Sequence, residues 1–62
     1  MHMYKISFLS NSISHEGRLI MSLEAASDEI AIAIFKEKFA VLEPYNVLIQ
    51  RYISDDELKD IH

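Results

Sequence analysis

The residues of this 62-residue chain that could do chemistry are few, and their spacing favours no particular reaction. A catalytic nucleophile needs a nearby base and a third group that orients that base. His15 beside Glu16 is the best acid–base pair available, but it lies in a polar segment, SNSISHEG, that is typical of a loop. The competing interpretation is a solvated loop histidine. We therefore expect no catalytic residues and no enzyme activity.

Metal and cofactor sites also lack a basis in the sequence. There is no cysteine, and the three histidines do not fall at the spacing of a zinc motif. The acidic groups Asp28–Glu29 and Asp55–Glu57 begin candidate helices, where capping explains them better than cation binding does. Gly17 is the only glycine, so no glycine-rich phosphate loop can form, and we expect it to adopt a positive φ before a strand. No metal and no cofactor is expected.

Charge and composition narrow the possible partners. The formal net charge is −4, whereas a nucleic-acid binder usually carries a basic stripe. Three tyrosines could still stack bases on an open sheet, so single-stranded nucleic-acid binding stays as the alternative function. The sequence contains no run of about 20 apolar residues and no secretory signal pattern. Together with the absence of cysteine, this predicts a cytoplasmic protein that does not engage a membrane.

One long helix is predicted, over about residues 28–42. Ser27 is a good N-cap, and Asp28 and Glu29 place negative charge at the positive end of the helix dipole. Pro44 ends the segment, because proline disfavours helical geometry in the residue before it. The alternation of isoleucine and alanine would also fit a strand, but the capping signals and the length favour a helix.

The apolar residues of this helix form two neighbouring arcs instead of one narrow stripe. One arc contains the aromatic residues and is expected to pack inward; its members are Ala31, Ile32, Phe35, Phe39 and Leu42. The other arc contains Ile30, Ile34 and Val41. Two interpretations stay open: either both arcs sit on a concave sheet, or the second arc meets another chain.

Three segments alternate between apolar and polar residues, as strands do, at about residues 3–9, 18–25 and 46–53. A connection of roughly eight residues between the first two favours an antiparallel hairpin. The helix then returns the chain so that the third strand lies beside the first. We therefore predict a single α+β domain, β-β-α-β, with a three-stranded sheet of order 2-1-3 that the helix covers on one face. A capping box from Ser54 to Glu57 predicts a further short helical turn at the C-terminus.

This fold would leave apolar residues on the face of the sheet away from the helix. The residues expected to face the helix are Tyr4, Ile6, Phe8, Leu19, Met21, Leu23, Val47, Ile49 and Ile53. Leu9, Ile20, Leu48 and Tyr52 would then lie on the other face. They are either ordinary scattered surface residues or a contact surface.

A chain this short has little core and no disulfide, so a partner is the remaining route to extra burial. We expect a small non-enzymatic protein–protein interaction module that forms a homodimer. The predicted contact residues are Ile30, Ile34, Val41, Ile20, Leu48 and Tyr52. In length and order of elements the chain resembles small phage-encoded inhibitors and antitoxins. That resemblance implies an inhibitor or regulator that binds one host or toxin protein, and it transfers no residue.

Overall fold

The computed structural model describes residues 1–12 and 17–61, which form an antiparallel sheet with an α-helix on one face. The elements are β1 (His2–Ser10), β2 (Leu19–Ala25), α1 (Asp28–Lys38), a 3-10 turn (Ala40–Leu42), β3 (Pro44–Ser54) and β4 (Glu57–Asp60). The sheet has four strands in the order β2-β1-β3-β4, and all neighbours are antiparallel. The α+β class and the predicted neighbours of β1 are confirmed, and a fourth strand extends the sheet.

The helical turn predicted at the C-terminus is wrong, because the chain turns back after Ser54 and adds a strand. β4 pairs with β3 through Tyr52↔Leu58 and Gln50↔Asp60. Asp55 and Asp56 form the turn, and neither residue has a positive φ. The common two-residue hairpin turns need a positive φ and are recognised by glycine or asparagine, and this turn contains neither residue.

A bulge in β3 also corrects one predicted orientation. The register shifts between Tyr52 and Ser54, where β3 contains one more residue than β4. Ile53 was predicted to face the helix, but it lies in this bulge and is 58% exposed. The alternation of inward and outward side chains, on which the prediction depended, is interrupted at this point.

The core lies between the centre of the sheet and α1. From β1, Tyr4, Ile6 and Phe8 are buried on the helix face, as predicted, and Ile49 is buried opposite Ile6. From the helix, Phe35 packs with its ring edge towards Phe8, at a centroid distance of 5.3 Å. Each such side chain contributes about 1.5–3 kcal/mol by leaving water. Around this cluster, Leu19, Met21, Leu23, Ile32, Ile34, Phe39, Leu42, Val47 and Ile61 are partly buried.

The helix begins as predicted and ends earlier. Ser27 is the N-cap, and its Oγ accepts a hydrogen bond from the Ile30 amide at 3.3 Å. Regular α-helix ends at Lys38, and the 3-10 turn then leads to Glu43, which has a left-handed φ of 49°. Val41 therefore lies beyond the helix and does not continue the arc of Ile30 and Ile34.

A second bulge lies in β3 opposite β1. The pairing passes from Ser7↔Leu48 to Leu9↔Tyr45, so β3 uses one residue more than β1 over this step. Asn46 in the bulge has a φ of 55°. Left-handed backbone is strained for most residues, and asparagine tolerates it better than they do because its short side chain can bond locally.

Substitution of Asn46 tests this strain directly. Asn46→Val should lower the free energy of unfolding by about 1–2 kcal/mol, because a β-branched residue is disfavoured at positive φ. Asn46→Gly, the matched control, should change it by only a few tenths of a kcal/mol, because glycine adopts this φ freely. Urea denaturation followed by circular dichroism measures both, and equal stability of the two variants would contradict the assigned backbone conformation.

Candidate interaction surface

The face of the sheet away from α1, here called the open face, contains the main group of predicted contact residues. Strand alternation sends every second residue to this face, because Tyr4, Ile6 and Phe8 point to the helix. Its residues, strand by strand from β2 to β4, are Ile20, Ser22, Glu24; Met3, Lys5, Ser7, Leu9; Leu48, Gln50, Tyr52; and Leu58, Asp60.

The first apolar patch of the open face is the Ile20–Leu48 patch. Ile20 and Leu48 both pair with Ser7, so they flank it on the two neighbouring strands. Ile20 is 65% exposed and Leu48 is half-buried. Two of the predicted contact residues thus lie on the same level of the sheet, two strand spacings or about 10 Å apart.

Arg18 covers the centre of this patch. Its Nε donates to the Ser7 hydroxyl at 3.3 Å, and its Nη2 donates to the Ser7 carbonyl at 2.9 Å and to the Asn46 carbonyl. The guanidinium therefore donates hydrogen bonds to backbone carbonyls beside the β3 bulge and lies between Ile20 and Leu48. These hydrogen bonds could not be predicted from the sequence, because the partners of Arg18 are 11 and 28 positions away along the chain.

The second apolar patch, called the Tyr52 patch, lies at the other end of the open face. Tyr52 pairs with Leu58 of β4. On its other side lies Met3 of β1, because the adjacent residues Tyr4 and Arg51 are paired. An open depression of 380 Å³ adjoins it, lined by Met3, Tyr52, Ile53, Ser54 and Asp55. Tyr52 and Leu48 are four residues apart on β3, so the two patches are separated by about 14 Å.

A polar row crosses the sheet between the two patches. Lys5 pairs with Ser22 on one side and with Gln50 on the other. Gln50 in turn donates from Nε2 to the Asp60 carboxylate at 2.8 Å. The open face therefore carries apolar side chains at both ends, with the Lys5 ammonium in the polar row between them.

The remaining predicted contact residues lie elsewhere. Ile30 and Ile34 lie on the helix, on the other side of the sheet from the open face. Ile30 is 45% exposed, and Ile34 packs partly against the core. Val41, 78% exposed, lies apart from both groups in the 3-10 turn.

A cluster of polar side chains joins the start of α1 to the sheet. The Tyr4 hydroxyl donates to Asp28 Oδ1 at 2.7 Å, and Arg51 Nη1 donates to the same oxygen at 3.2 Å. These contacts tie the first turn of the helix to β1 and β3. Both contacts use Oδ1 of Asp28, and they give this carboxylate a structural role.

The environment shifts the pKa of both acidic members of this cluster. The hydrogen bond from Tyr4 is the main cause that lowers the pKa of Asp28; the Arg51 charge adds to it, and desolvation opposes it. Burial is the main cause that raises the pKa of Tyr4, and the bonded Asp28 carboxylate raises it further. The cluster therefore favours a charged aspartate and a neutral tyrosine.

Chemistry that would suggest an active or metal site is not visible in residues 1–12 and 17–61. No three histidine, aspartate or glutamate side chains come together there as metal ligands. No helix of this part of the chain has the length and apolar character needed to cross a membrane. The pair of His15 and Glu16 lies outside the described residues, whereas Gly17 has the positive φ that was predicted for it, at 87°.

Comparison with known proteins adds no second line of evidence. No family model matches the chain, and neither a curated protein nor a solved structure matches it. The open face and the sheet edges must therefore be interpreted from their own residues.

Acid titration should show the contribution of Asp28 to stability. Because its pKa is lowered by folding, Asp28 stabilises the protein above the unfolded value of about 4, and this contribution is lost as the pH falls through the folded pKa. Asp28→Asn should therefore lower the free energy of unfolding at neutral pH and flatten its fall below about pH 4. Urea denaturation at a series of pH values measures both effects.

The matched control for this titration is Glu29→Gln, which removes an exposed acid from the same helical turn. This variant should retain the acid-dependent fall of the wild type. If Asp28→Asn and Glu29→Gln have the same pH profile, Asp28 does not have the assigned role.

Proposed function

We propose that this chain is a non-enzymatic protein-binding module that holds its partner on the open face of the sheet. The observation that supports this most directly is the exposure of apolar side chains on a face without a second layer in the described part of the chain. Ile20 is 65% exposed and Met3 is 42% exposed. Exposed apolar residues grouped in this way, with polar residues around them, are typical of interaction sites.

The residue types of the open face suit a protein partner. Tyrosine and arginine are enriched among the residues that contribute most to protein interfaces, and Tyr52 and Arg18 lie in the two apolar patches. Arg18 is already held in place by Ser7 and Asn46, so little conformational freedom is lost when a partner covers it. The surface is therefore preorganised at the Ile20–Leu48 patch.

The arrangement also indicates the chemistry of the partner. A complementary surface would place apolar side chains over the two patches, about 14 Å apart. Between them it would carry a carboxylate or another acceptor opposite Lys5, because buried charges need a partner. Occupation of a partner's surface in this way is how an inhibitor or regulator acts without chemistry of its own.

Single-stranded nucleic-acid binding finds less support on the same face. Tyr4 is fully buried, so stacking would fall to Tyr52. Among the described basic residues of the open face, Arg18 is engaged with backbone carbonyls, which leaves Lys5 to meet phosphates. Protein binding is therefore the function that we place first.

Substitutions in β3 test the proposed binding face. Leu48→Lys and Tyr52→Lys should each reduce capture of the partner protein from the source cell by about tenfold or more, which corresponds to roughly 1.4 kcal/mol per residue. The reason is that each variant puts an uncompensated charge into an apolar contact. Affinity capture with quantitative mass spectrometry, followed by titration of the purified partner, measures the loss.

The control is Ala33→Lys, which adds the same charge at an exposed position on the helix. It should capture the same partner at wild-type levels, and circular dichroism should show that all three variants are folded. If Leu48→Lys and Tyr52→Lys are folded and bind the partner as well as the control does, the open face is not the binding site.

A further inference from the structure

The two outer strands of the sheet differ in how they are protected against pairing with another chain. β4 is four residues long, Glu57–Asp60, and three of these residues are charged. Its pairing with β3 is also irregular, because of the bulge at Ile53. Short, charged and bulged strands are the usual means by which a sheet edge avoids further pairing.

β2 has none of these protections. It is seven residues long, Leu19–Ala25, and Glu24 is its only charged residue. Its register with β1 continues without a shift from Leu19 to Ala25. An outer strand of this kind offers a regular row of backbone donors and acceptors to another strand.

We propose that β2 pairs in antiparallel fashion with β2 of a second copy of this chain. A two-fold axis perpendicular to the sheet then joins two four-stranded sheets into one of eight strands, with both helices on the same face. Such an interface is self-complementary, because the same residues contribute from both sides.

The apolar residues of β2 favour one register of this pairing. When the axis passes beside Met21, Met21 faces its own copy and Leu19 faces the copy of Leu23 on the helix face, while the two copies of Glu24 stay apart. Opposed apolar pairs stabilise antiparallel strands, whereas directly opposed like charges destabilise them.

The dimer leaves the open faces of both copies accessible and joins them into one surface. The use of this joined surface in binding a partner rests on the proposed function, but the contact between the two copies does not. The two properties can therefore be measured separately, because the substitutions that test the open face are in β3 and those that test the dimer are in β2.

Cysteine cross-linking tests both the contact and its register, because the chain has no native cysteine. Met21→Cys should form a disulfide-linked dimer with diamide roughly tenfold faster than Asp56→Cys, since directly opposed residues lie close to disulfide distance. Asp56 is the matched control, because it is exposed in the turn at the opposite edge of the sheet. Faster cross-linking of Ser22→Cys or Ile20→Cys than of Met21→Cys would overturn the proposed register.

The unmodified protein provides the second measurement. Sedimentation equilibrium of the wild type should give twice the 7.2 kDa mass of one chain. Met21→Lys, which would put two lysines opposite one another at the axis, should return the mass to 7.2 kDa, while circular dichroism shows that the variant is folded. A wild type that stays at 7.2 kDa at millimolar concentration would overturn the proposed dimer. If the wild type is a monomer and Leu48→Lys and Tyr52→Lys still lose binding to the partner protein, the proposed function stands without the dimer.

Discussion

The α-helix that the structure describes is much shorter than the strands it packs on, and this mismatch determines what the rest of the molecule exposes. Eleven residues of helix are about 16 Å long, whereas the nine to eleven residues of β1 and β3 extend about 30 Å or more. One short helix can cover only one face, and that face is filled by Tyr4, Ile6, Phe8 and Ile49. The apolar residues of the other face have no cover within the described chain.

The total surface of the molecule is nevertheless ordinary. A folded chain of 7.2 kDa is expected to expose about 4,100 Å², and this one exposes 4275 Å². The case for a partner therefore depends on where the exposed apolar residues lie, and not on an excess of surface. The Ile20–Leu48 patch of the open face and the regular outer strand β2 are the two features that support a partner most directly.

Much of this fold could be predicted from the sequence because it follows local periodicity. Alternation in β1 identified the buried face, and Ser27 with the acids after it located the start of α1. β4 was missed because Ser54 to Glu57 has the spacing of a capping box, while the strand after it is too charged and short to show alternation. The end of α1 was missed because the apolar pattern continues through the 3-10 turn after Phe39.

The same limits apply to the interaction surface, where side chains on regular strands could be placed from the sequence and those at bulges could not. Period-two alternation was enough to place Ile20, Leu48 and Tyr52 on the open face, because the strands are regular there. It failed at Ile53, where a bulge changes which way the side chain points. The contacts of Arg18 with Ser7 and Asn46 could not be predicted, because they depend on a bulge between strands that are distant along the chain.

The pairing of β1 with β3 has a consequence for the speed of folding. β1 and β2 are joined by one short connection, and β3 and β4 by a two-residue turn, whereas Ser7 and Leu48 are 41 residues apart when they pair. Local hairpins close within microseconds, and longer loops carry a larger entropic barrier. We therefore expect the pairing of β1 with β3 to form last in the sheet and to limit the rate at which the whole molecule becomes native.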